Sequence, residues 1–141
     1  MSLDVASLRH SFELVTSRQP ERARRFYEIL FARHPRSAPL FSRNAPARRN
    51  QMLTEAMVAL MDHLEDAGWL TSALPALGAK HDAYGVTEEM YGWVGECLLE
   101  TFAEVAGDDW TPALARAWSD AYGAIAGLML GGARTARACA A

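Results

Sequence analysis

Phe26-Tyr27-Glu28-Ile29-Leu30-Phe31-Ala32-Arg33-His34-Pro35-Arg36-Ser37-Ala38-Pro39-Leu40-Phe41 carries more structural information than any other stretch of this 141-residue chain. Phe26, Tyr27, Leu30 and Phe31 recur at three- and four-residue steps, so they share one face of a helix running from about Glu21 to His34. Pro35 ends that helix because proline cannot supply the backbone donor that a continuing turn needs. Ser37 to Phe41 then reads as a short helical turn.

The same periodicity extends in both directions, while period-2 alternation is almost absent, so the class is all-α. Upstream, a first helix is expected to begin after Ser2, with Asp4 in its first turn and Val5, Leu8, Phe12 and Val15 on its apolar stripe. Downstream of a polar loop at 42–46, a long helix carries Leu53, Met57, Leu60 and Leu64, with Gly68 as its expected stop. Another helix follows from Leu70 to Tyr84, open to a break at Pro75 and ended by Gly85. Thr87 is a candidate cap for a helix carrying Met90, Tyr91, Val94, Leu98 and Phe102. Thr111-Pro112 fits the cap and first position of a last helix. Gly131-Gly132 suggests fraying over 131–141.

Composition bounds the class of function. The length suits one domain with its own core, half of the residues are apolar, 22% are charged and the net charge is −3. Arginines cluster from Arg18 to Arg49, which reads as a solvated helix face, and no nucleic-acid partner is expected. Cys97 and Cys139 have no metal-like spacing and read as free thiols in a reducing compartment. With no signal-peptide pattern at Met1-Ser2-Leu3 and no membrane-length apolar run, a cytoplasmic location without membrane attachment is the expectation.

Some forty residues after Phe41 stands Ala79-Lys80-His81-Asp82-Ala83-Tyr84-Gly85-Val86. With the stretch from Phe26 to Phe41, it resembles the two walls of the haem pocket of bacterial haemoglobins and of the globin half of flavohaemoglobins. The resemblance covers almost the whole chain and implies a single globin domain over 1–141, with six to eight helices packed around haem b. It implies His81 as the iron ligand, Phe41 packed flat on the porphyrin, and Tyr27 as a distal hydrogen-bond donor. Val86, Tyr91 and Val94 are further pocket residues on the same basis. His10, His34 and His63 have simpler surface roles.

Two positions depart from the family pattern. Bacterial haemoglobins pair the tyrosine equivalent to Tyr91 with a glutamate in the last helix, where this chain has Ala133, and that weakens a peroxidase-like reading. The distal helix residue, usually histidine or glutamine, is arginine here. Counting forward from Phe41 gives Arg48 with Met52 over the haem, and counting back from His81 gives Arg49 with Leu53. Gln51 is a third choice, but it places Glu55 over the haem, which burial disfavours.

The resemblance implies reversible binding of dioxygen, with carbon monoxide and nitric oxide as further ligands. An alternative is nitric oxide dioxygenation to nitrate. Flavohaemoglobins carry a fused reductase for that purpose, and this chain would need a separate one. A gas or redox sensor is the third reading. Apolar residues of the last two helices are compatible with a monomer or a homodimer.

Overall fold

Helix boundaries in the computed structural model, which describes residues 3–140, follow local capping chemistry closely. Asp4 accepts the Ser7 N–H at 3.2 Å, so it caps α1 (Val5–Arg18) from outside instead of lying in its first turn. The helix expected to begin just after Ser2 starts later, at Val5, with Leu3 and Asp4 outside it. α2 (Arg22–Arg33) ends as the His34 N–H reaches the Leu30 carbonyl, and Pro35 turns the chain into a 3-10 segment, Pro35–Phe41. α3 (Pro46–Asp62), α4 (Ala67–Ala83), α5 (Glu88–Ala106) and α6 (Pro112–Ala140) complete an all-α fold, with a second 3-10 turn at Gly107–Asp109. Among the described residues there are no strands, and no helix is long and apolar enough to cross a membrane.

Three expectations need correction. Gly68 stops nothing: α3 has already ended at Asp62, and Gly68 sits in the first turn of α4, which Asp66 caps by accepting the Trp69 N–H at 3.0 Å. A carboxylate at the cap is a stronger local signal than a glycine two residues later. Pro75 does not break α4, although an interior proline forfeits a hydrogen bond. Its backbone lies against α6, where a Cβ added at Gly132 would come within 2.0 Å of the Pro75 oxygen. The same contact explains the third point, since α6 runs unbroken through Gly131-Gly132 to Ala140 instead of fraying. Glycine is required at 132 by close approach, not by a turn.

The main core gathers Leu8, Phe12, Val15, Phe26, Tyr27 and Leu30 from α1 and α2 with Met57, Met61, Leu98, Phe102 and Trp118. Leu8 and Leu30 have no exposed surface, and each such side chain contributes roughly 1.5–3 kcal/mol of transfer free energy. A buried polar pair in this core is satisfied internally, with the Trp118 indole N–H donating to Ser11 Oγ at 2.9 Å. Several of the N-terminal arginines meet acidic partners across the surface. Arg25 grips Glu104 with two nitrogens, both at 2.7 Å, and Arg33 bridges Glu96 and Glu100 of α5 at 2.6 Å each.

Helix pairing leaves a gap. α3 packs on α2, and α4 packs along α6, but α3 and α4 make no comparably close approach.

Candidate functional site

His81 lies in the last turn of α4, and the chain wraps back around it. Gly85 adopts φ +95°, a left-handed conformation natural to glycine, and lets the Val86 N–H return to the His81 carbonyl at 3.0 Å. His81 Nδ1 stands 2.8 Å from the Leu77 carbonyl. A carbonyl only accepts, so Nδ1 carries a proton, and in the neutral ring Nε2 keeps its lone pair. That is the tautomer a metal-ligating imidazole needs. His63 makes a similar bond to the Ala59 carbonyl, but its ring is stacked on Trp69 at 4.1 Å. His34 is likewise stacked, on Trp93 at 4.7 Å, and His10 is exposed.

Between α3 and α4 opens a cleft of about 270 Å³. Ala56, Ala59 and Leu60 line it from α3, and Ala73, Leu74, Ala76, Leu77 and Lys80 from α4. With Trp69 as a further wall, the lining is predominantly apolar and suits a flat apolar group, and Lys80 is the one charged residue among them. His81, Tyr27 and Phe41 are not among its lining residues, although Leu77 and Lys80, which line it, stand on the same helix as His81. A free imidazole lone pair on the helix that walls an apolar slot fits haem.

An aromatic box forms on the α2 side. Tyr27 and Phe41 meet edge-on at 5.2 Å, and Phe31 lies 5.7 Å from Phe41. The Arg49 guanidinium caps this box, 5.0 Å from the centre of Tyr27 and 4.9 Å from that of Phe31. Burial pushes the Tyr27 phenol up to about 12, with the Arg49 charge partly opposing, so the hydroxyl stays protonated at neutral pH. It donates weakly to the Arg49 carbonyl at 3.5 Å.

The two distal alternatives separate in space. Arg49 and Leu53 are half-buried, and Leu53 packs against the main core. Arg48 points to solvent, where it donates to Gln51 at 3.3 Å, and Gln51 in turn donates to Glu55 at 3.0 Å. Met52 is also exposed. One residue of register rotates a helical side chain by about 100°, which is enough to move the arginine from the surface to the box.

Tyr91 and Val86 join Leu74 and Met129 in a second apolar cluster, whereas Val94 packs against the main core. The Tyr91 hydroxyl is buried without a hydrogen-bond partner, and Ala133 is itself buried. Burial first, and the Asp82 charge second, raise the Tyr91 phenol above its ordinary value. Asp82 is held 3.5 Å from Arg137. Leu77, whose carbonyl orients the His81 ring, was not singled out from the sequence; its i−4 spacing from His81 is the signal that would have found it.

The Globin family model matches residues 24–129. The chain belongs to the globin family. This globin is 32% identical over 109 residues to a flavohemoprotein of Bacillus subtilis, an alignment covering 76% of the chain but 27% of that relative. It therefore spans about a quarter of the length of the curated relatives it matches. Among solved structures it resembles an engineered carbene transferase from Rhodothermus marinus, with 27% identity, a TM-score of 0.83 and 98% of both chains covered. A bacterial globin from Campylobacter jejuni shares the fold at TM-score 0.77 and 23% identity, over 93% of this chain and 94% of that one. Family membership and the flavohemoprotein relatives imply a haem cofactor.

Proposed function

We propose that this globin holds haem b through His81 and reversibly binds dioxygen and other diatomic gases. The observation that carries the reading is the His81 Nδ1 bond to the Leu77 carbonyl, which in the neutral ring leaves Nε2 free on the helix that walls an apolar cleft. Haem iron supplies the reversible bond to the gas. Phe41 packs against the ring, Val86, Tyr91 and Val94 wall the proximal side, and Leu53 limits access from α3. The Tyr27 phenol, protonated and only weakly engaged, is the donor available to a ligand carrying partial negative charge. Ala133 supplies no carboxylate to the Tyr91 hydroxyl, which supports binding over peroxidase-like chemistry.

Absorption spectra test this reading. Haem-loaded protein is expected to show a five-coordinate ferrous form and a sharp carbonyl complex under carbon monoxide, and His81→Ala to lose both. Absence of a Soret band after haem addition, or full retention by His81→Ala of an unchanged spectrum, overturns the assignment. Similarity to flavohemoproteins favours a second reading, in which nitric oxide and dioxygen combine with one electron to give nitrate. Repeated turnover with an added reductase identifies that activity, and a single stoichiometric cycle returns the function to binding.

A further inference from the structure

We propose that Arg49 makes the distal side of this globin selective for small inorganic anions, of the size of azide and nitrite, at ferric iron. The proposal rests on the haem-binding reading above and adds a ligand class to it. Eight of the thirteen arginines pair with carboxylates, and Arg49, like Arg22, Arg43, Arg48 and Arg116, pairs with none among the described residues. Glu55, a carboxylate on the same helix, is engaged by Gln51 on the exposed face. The guanidinium instead lies over the rings of Tyr27 and Phe31, and its Nε is buried with no acceptor.

Stacking on two rings offsets part of the desolvation of this cation, but a buried N–H without an acceptor remains unfavourable. An anion beside the box satisfies both the charge and the donor. Tyr27 contributes a second donor, since its present bond to the Arg49 carbonyl is at the limit of hydrogen-bond length. An anion adds a direct Coulombic attraction to the guanidinium that a neutral ligand such as imidazole lacks, and imidazole bound through one nitrogen has no lone pair left to accept from it. The cation is permanent at every physiological pH, so the preference needs no protonation step.

The experiment is titration of the haem-loaded ferric protein with azide, with nitrite and with neutral imidazole, followed by the Soret shift. Arg49→Gln is expected to weaken azide and nitrite by about tenfold to a hundredfold while imidazole changes by less than about threefold. Arg49→Lys, which keeps the charge, is expected to retain most of the anion affinity and guards against a purely structural effect. Equal losses for azide and imidazole overturn the proposal. Unchanged anion affinity with faster haem transfer to an apoprotein acceptor also overturns it, and makes Arg49 a clamp for a haem propionate. Failure of the wild-type chain to take up haem is a separate result, which removes the haem-binding reading and this proposal with it.

Discussion

Replacing Gly78 by alanine puts the α4–α6 contact under a quantitative test. A Cβ at residue 78 stands 1.8 Å from the Met129 oxygen, 2.4 Å from its carbonyl carbon and 2.6 Å from its Cα. The oxygen must retreat by about 1.2 Å to reach the 3.0 Å below which real Cβ contacts essentially never occur. Every obstructing atom is main chain, so no rotamer change relieves the clash, and α6 itself must move. Overpacking costs typically about 1–3 kcal/mol, and a backbone-limited site belongs at or beyond the upper end. Alanine returns up to about 1 kcal/mol of helix propensity. The expected net loss is about 2 kcal/mol, or roughly 6–8 °C in Tm for a domain of this size. Gly127→Ala is the matched control, with nothing within 4 Å of its added Cβ, and it is expected to gain up to about 1 kcal/mol. Urea and thermal unfolding of the apoprotein, followed by far-UV circular dichroism, measure both. If Gly78→Ala proves as stabilising as Gly127→Ala, the two helices do not meet backbone to backbone, and this account of the α4 position is refuted.

Two further outcomes follow from buried polar groups. Ser11→Ala removes the acceptor of the Trp118 indole N–H in the core and is expected to cost about 1–3 kcal/mol in urea unfolding, with much of the loss absent when Trp118→Phe is added. Tyr27 has its folded-state pKa raised to about 12, above the ordinary value of 10.0, so between those values the folded state binds more protons than the unfolded one. Its contribution is therefore complete below pH 10 and is lost as pH rises towards 12, and the slope of stability against pH in that window should be shallower in Tyr27→Phe.

Elements whose signals are local were legible in the sequence. Pro35 ends α2, and Thr111 accepts the Leu114 N–H at 3.1 Å to cap α6, as their chemistry dictates. Expectations fell short at two breakers that answer to a distant partner, and at one glycine that lies next to a stronger local signal. Gly132 and Pro75 look like breakers along the chain, and only the meeting of their backbones shows why both sit inside helices. Gly68 misled because the Asp66 cap outweighs it. On the site, the resemblance singled out His81, Tyr27 and Phe41, but it left Arg48 and Arg49 open. Their difference is one of register around a helix, which counting across a loop of variable length does not resolve.

The floor of the cleft and its roof are built from different material. α4 rests on α6 main chain against main chain, a seat that admits little substitution at Gly78 or Gly132. The opposing wall is made of α3 side chains such as Ala56, Ala59 and Leu60, on a helix that does not pack closely on α4. Mutational drift, or deliberate redesign, along α3 can thus reshape what enters the cleft while the His81 imidazole stays where α6 has put it. On the proposed haem-binding reading, ligand preference and cofactor attachment become separately tunable traits.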